Sequence, residues 1–212
     1  MRGGTIQIRT DSVTLDGELL VPEETSGVVA FAHGSGSSRF SPRNNFVAER
    51  LRDRGLGTLL FDLLTEAEDR DYETRFDVDL LTGRLLGATD WLRDQSETAD
   101  LRVGYFGFST GAAAALRAPA ARDDVDAVVS RGGRVDLAGD ALADVDAPTL
   151  LLVGERDEAV LSLNRRAFDQ LTCEKELTVV EGASHLFEEP GKLEVVADAA
   201  ADWFVDYLDT GL

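Results

Sequence analysis

Residues 102–116 read RVGYFGFSTGAAAAL, and the rest of the chain is arranged around them. Val103, Tyr105 and Phe106 have the character of a buried strand, and the alanines after Gly111 have high helix propensity. Between them, Gly107-Phe108-Ser109-Thr110-Gly111 places a serine between two glycines at a strand-to-helix junction, the G-x-S-x-G elbow pattern. Such a turn forces the serine into a strained backbone conformation and brings neighbouring chain so close that a Cβ at either flanking position would clash. The pentapeptide alone is common. The strand before it and the helix after it make it specific.

Outward from this stretch, apolar runs mark the other strands. Thr5 to Leu15 alternates polar and apolar residues, and Asp16-Gly17 offers a hairpin turn before Glu18 to Val21. Val28 to Ala32, Thr58 to Phe61, Val125 to Val129, Pro148 to Val153 and Leu177 to Val180 are continuous apolar segments, as expected of strands covered on both faces. Helical spacing runs through Asn44–Arg54, from about Phe76 to Arg93, through Leu161–Leu171, and from about Lys192 to Leu208. The polar, acidic stretch from Thr65 to Thr74 reads as an exposed loop. Strands alternating with helices predict one α/β domain over residues 1–212, a mostly parallel sheet of about eight strands flanked by helices on both faces. At 212 residues there is little room for a cap domain.

Composition narrows the function classes. Forty acidic against 21 basic residues leave a net charge of −19, and Lys175 and Lys192 are the only lysines. Such a surface repels nucleic acid and anionic membranes, so neither is an expected partner. Dense carboxylates with little lysine also suit a cytosol rich in salt, where screening removes the self-repulsion. Cys173 is the single cysteine, which excludes an intrachain disulfide and a thiolate zinc cluster. No apolar run reaches membrane-spanning length and the N-terminus carries no apolar signal core, so a cytoplasmic location is expected. The glycine-rich stretches match neither G-x-G-x-x-G nor a phosphate-binding loop with its lysine, and no dispersed acidic group forms a metal site with a histidine. Neither metal nor organic cofactor is expected.

Ligands of such a sheet bind beyond the carboxyl ends of the strands, where the His33 loop, Ser109, Asp157 and His185 all fall. Serine needs a base, normally a histidine oriented by a carboxylate. The chain holds only two histidines. His185 lies downstream of Asp157, giving the chain order Ser, Asp, His; Glu155 and Asp136 are the competing carboxylates. Oxyanion donors are expected from the Thr110 amide and from the loop after Phe31, at Ser35 with Gly34 or Gly36 beside it. His33 reads as a brace for that loop. Arg39, Arg131 and Arg134 follow strands, and Arg39 and Arg131 are candidates to hold an anionic substrate group.

HGSGSSR (33–39), GFSTG (107–111), GERDEAV (154–160) and GASHLFEEPG (182–191) together resemble the α/β-hydrolase superfamily, more narrowly its dienelactone hydrolase-like group, over nearly the whole chain. The resemblance implies a Ser109–Asp157–His185 triad hydrolysing an ester or related acyl bond of a small substrate. Dienelactone hydrolases proper carry a cysteine nucleophile; a serine here favours ordinary carboxylesters over dienelactones. A chain that keeps this fold but acts by binding alone is the alternative.

Overall fold

The structure is a computed structural model that describes residues 1–10 and 13–209. Eight strands form one sheet in the order β1-β2-β4-β3-β5-β6-β7-β8. β1 (Arg2–Arg9) and β2 (Thr14–Val21) are antiparallel, and β2 pairs antiparallel with β4 (Gly57–Phe61). From β4 onward the sheet is parallel through β3 (Gly27–Ala32), β5 (Arg102–Phe108), β6 (Ala127–Arg131), β7 (Thr149–Gly154) and β8 (Lys175–Val180).

The strands are apolar throughout because both faces are covered. Val28, Ala30, Val103 and Tyr105 point to one side, under α3 (Val78–Asp94), α4 (Thr110–Arg117) and α5 (Glu158–Gln170). Val29, Phe31, Phe106 and Val129 point to the other, under α1 (Pro42–Asp53) and α6 (Lys192–Leu208). Alternation at period two delivers one set to each layer. No separate cap domain stands over the carboxyl edge among the described residues.

Two expectations are corrected here. Asp16-Gly17 is not a turn: it lies within β2, with Gln7 opposite Asp16 and Ile6 opposite Gly17. The chain reverses between Thr10 and Val13, where the Thr10 N–H donates to the Val13 carbonyl; residues 11 and 12 lie outside the described set. Gly17 is a glycine for packing reasons. A Cβ there would come within 2.9 Å of Ile6 Cδ1 and 3.0 Å of Phe61 Cβ. The acidic stretch after β4 is not all loop either. Thr65 and Glu68 form a reciprocal capping box that starts the short helix α2 (Glu66–Asp69), satisfying two orphan amides at once. Glu68 also pairs with the buried Arg84 of α3.

Candidate active site

The elbow is the junction of β5 and α4. Ser109 stands there at φ 52°, ψ −120°, a region L-residues rarely occupy. Its two glycines are required by contact. A Cβ on Gly107 would lie 2.4 Å from Ala112 Cα, and one on Gly111 would lie 2.1 Å from the Ala32 carbonyl oxygen. The turn is pinned from the loop after β6 as well: the Arg134 N–H donates to the Ser109 carbonyl at 2.9 Å. Thr110 opens α4, so its amide belongs to the positive end of a helix.

Asp157 follows β7 and His185 follows β8, and the fold brings them together. His185 Nδ1 and Asp157 Oδ2 are 2.6 Å apart, with the histidine side chain 37% exposed and the aspartate 15% exposed. Nδ1–H donating to the carboxylate leaves Nε2 as a free acceptor. The other two carboxylates are committed elsewhere. Glu155 accepts from the Gly182 N–H, and Asp136 accepts two bonds from Arg134. The imidazole packs on the ring of Phe108, the residue before Ser109, at a centroid distance of 5.3 Å. Gly132, just after β6, closes in from below: a Cβ there would lie 3.3 Å from two atoms of the His185 ring.

The loop that carries the histidine is held by partners which sequence reasoning did not single out. The Glu189 carboxylate accepts the Ser184 N–H with both oxygens, at 3.1 and 3.0 Å, and these bonds hold its own carboxyl below the usual range. Phe187, at φ 55°, buries its ring in the α1/α6 layer. The EEPG segment after the histidine was the available signal for Glu189.

The loop after β3 behaves as a braced unit. His33 is buried; its Nε2 accepts the Leu63 N–H at 2.9 Å and its Nδ1 bonds the Gly34 carbonyl at 3.0 Å. Burial holds the imidazole below its ordinary pKa, so the neutral form is the one that accepts from Leu63. Gly34 passes against the elbow, where a Cβ would meet Ser109 Cβ at 3.0 Å. The Ser35 N–H points the same way but is already engaged, donating to Thr110 Oγ1 at 2.9 Å.

The two arginine candidates stand differently from expectation. Arg39 pairs with Asp62 through its guanidinium and through its N–H, and lies over the exposed Phe40 ring. Its charge is therefore largely met. Both residues border an opening of about 450 Å³ beside the His33 loop, together with Ser37, Asp62, Glu66 and Asp69. Arg131 is wholly buried, with 0% of its surface exposed, so it offers no guanidinium to solvent at the strand end. The side chain turns inward because position 131 continues the β6 face that carries Ala127 and Val129 into the α1/α6 layer. Arg134 is taken by Asp136. Cys173 precedes β8 and so sits at the amino edge of the sheet, away from Ser109; burial pushes its thiol up. Among the described residues no group of histidine, cysteine and acidic side chains is arranged to hold a metal ion, and no helix is long and apolar enough to cross a membrane.

A mostly parallel eight-stranded sheet with a strained serine elbow after its fifth strand, and an Asp–His pair after the last two, defines the α/β-hydrolase class. Within it, the chain belongs to the dienelactone hydrolase family, whose model matches residues 20–210. It is similar to a dienelactone hydrolase of known structure from Anabaena variabilis, with 53% identity, a TM-score of 0.94 and coverage of 98% of both chains. The esterase domain of a Rhodothermus marinus protein shares the fold at a TM-score of 0.79 with 19% identity, over 98% of this chain and all of that one (100%). A Mycobacterium tuberculosis protein with the provisional name phosphoribosyl transferase is 57% identical over 209 residues, covering 98% of this chain and 47% of that protein. The chain thus spans about half the length of the curated relatives it matches. Family and fold together support hydrolytic chemistry.

Proposed function

We propose that the protein is a serine hydrolase that cleaves an ester or related acyl bond of a small substrate through an acyl-enzyme. The observation that carries this reading is the 2.6 Å bond between His185 Nδ1 and Asp157 Oδ2, with the imidazole packed on Phe108, the residue before a serine held at φ 52°. In the proposed cycle Ser109 Oγ attacks the acyl carbonyl and its proton passes to His185 Nε2. Asp157 keeps the imidazole in the tautomer that can accept that proton and stabilises the imidazolium. The oxyanion lies at the N-terminus of α4, against the Thr110 amide, with the Ser35 amide turning from Thr110 Oγ1 to the developing charge. His185 then gives its proton to the departing alcohol. A water activated by the same imidazole hydrolyses the acyl-enzyme, and the carboxylic acid leaves.

The opening beside the His33 loop is assigned to the part of the substrate remote from the reacting carbonyl. Its carboxylates disfavour anionic groups, since the Arg39 charge is met by Asp62. The transferase activity named for the mycobacterial relatives requires binding of a phosphorylated ribose. We assign it to the part of those proteins outside the match, because the acidic rim here opposes a phosphate.

Hydrolysis of p-nitrophenyl acetate and butyrate tests the reading. Wild-type protein should release a burst of nitrophenol followed by steady turnover, and Ser109→Ala should abolish both. A rate unchanged in Ser109→Ala sinks the assignment.

A further inference from the structure

Beneath the Phe108 ring lies a guanidinium with no carboxylate beside it. Arg131 Nη2 donates to the side-chain oxygen of Asn44, itself buried, at 3.2 Å. Its Nε and Nη1 have no hydrogen-bond partner among the described residues. What the charge does meet is aromatic. The guanidinium carbon is 4.1 Å from the centroid of Phe108 and 5.8 Å from that of Phe106. Burial draws the group down to about 9. A buried cation in such surroundings is costly, and an apolar side chain of similar length would fill the same space at lower cost. Complete burial rules out direct contact with substrate in the open site.

The groups in line with Arg131 give it another use. Asn44 sits in the first turn of α1 and anchors the guanidinium; the guanidinium lies over Phe108; Phe108 meets the His185 imidazole 5.3 Å away. Asp157 holds that imidazole by one bond, which sets a distance and leaves rotation about it open. The Phe108 ring supplies a second restraint, and it is only partly buried, so it needs something to hold it. A cation taken out of water and set over an aromatic face is the strong form of that interaction.

We propose that Arg131 is a positioning residue: through Phe108 it fixes the plane of the His185 imidazole and so holds Nε2 where the proton of Ser109 Oγ must go. The inference rests on the Ser109–His185–Asp157 reading above. Misplacement of a reacting group by about 1 Å costs on the order of a hundredfold in rate, and binding of substrate does not pass through this stack. Arg131→Met should therefore lower kcat for p-nitrophenyl acetate by about 30- to 100-fold, with KM within about threefold of wild type.

A cycle with Phe108→Leu decides the route. If Arg131 acts through the ring, Phe108→Leu alone costs about as much as Arg131→Met, and the double variant is no worse than either. Losses that multiply in the double variant overturn the proposal, as does a drop confined to KM or a kcat within threefold of wild type in Arg131→Met. Should Arg131→Met not fold, Arg131→Lys keeps a cation in place with a smaller head group. It should lose about tenfold in kcat by itself and add nothing to the loss of Phe108→Leu when the two are combined, and a multiplicative loss there overturns the proposal equally. Labelling by a fluorophosphonate separates the two levels. Wild-type protein that takes no label refutes the underlying triad; wild type and Arg131→Met labelled at equal rates refute this proposal alone.

Discussion

Replacing Asp157 by Asn removes one oxygen charge and leaves the shape, which makes it a sharp probe of the Asp–His pair. Two effects add. In the proposed cycle the carboxylate attracts the imidazolium that forms as Ser109 gives up its proton. With N and O at 2.6 Å the charge centres lie roughly 4 Å apart, worth about 4 kcal/mol at an effective dielectric of about 20. The His185 side chain is 37% exposed, so solvent screens part of this and about 3 kcal/mol is a fairer figure. That corresponds to on the order of a hundredfold in kcat. The second effect is the tautomer: an asparagine that presents its amide N–H to Nδ1 puts the imidazole proton on Nε2, where the serine needs an acceptor. Together they set an expected loss of roughly a hundred- to ten-thousandfold in kcat for p-nitrophenyl acetate, with KM little changed. Glu155→Gln and Asp136→Asn are the controls, because their carboxylates are spent on the Gly182 amide and on Arg134. Both should stay within about threefold of wild type. An Asp157→Asn enzyme within threefold of wild type refutes the reasoning. So does a Glu155→Gln enzyme as damaged as Asp157→Asn.

Two further outcomes follow from the elbow and its neighbour loop. Gly111→Ala should destabilise the protein by about 3 kcal/mol or more, or keep it from folding, since its Cβ would sit 2.1 Å from the Ala32 carbonyl oxygen; thermal unfolding checks it, and a melting temperature within two or three degrees of wild type contradicts the close approach. His33 gives a pH signature. Its folded pKa is held below the ordinary 6.5 by burial, so the unfolded chain binds more protons between those two values. The stability it contributes is present above about 6.5 and is lost as pH falls from there toward the folded value. The melting temperature of wild type should accordingly drop more steeply than that of His33→Gln over this window, and parallel curves refute a neutral His33 holding Leu63.

Much of the fold was legible because it rests on period-two and helical patterns that survive in the residues themselves. The continuous apolar runs at Val28–Ala32 and Thr58–Phe61 could only be strands covered twice, and the C-terminal helix over Lys192–Leu208 has the bounds its spacing predicts. The errors came where one local signal outweighed another. At Asp16-Gly17 the dipeptide says hairpin, while Leu15, Gly17, Leu19 and Val21 alternate straight through it; the alternation wins because Gly17 is needed where β1, β2 and β4 pack. In the acidic stretch after β4, charge density masks the Thr65–Glu68 capping box, a signature spaced to start a helix.

The site was legible in its residue types and chain order, and less so in what each group touches. Two histidines in 212 residues left little choice of candidate base, and the strand ends pointed to Asp157 as the partner that His185 meets in the structure. Which way a side chain turns from a strand end depends on the register. Arg131 lies opposite Phe108 in the β5–β6 pairing, and nothing in the local sequence says that the two side chains stack in the interior. The Ser35 amide is a similar case. Its place in the loop was readable, but its bond to Thr110 Oγ1 depends on a contact across 75 residues.

The central claim is that Ser109 is the nucleophile of a hydrolase, and its most direct measurement is covalent. Intact protein treated with a fluorophosphonate and digested should yield one modified peptide, with the added mass on Ser109 and none in Ser109→Ala. Protein that stays unmodified while an ordinary serine esterase labels fully beside it, or that carries the label on any other residue, contradicts the account.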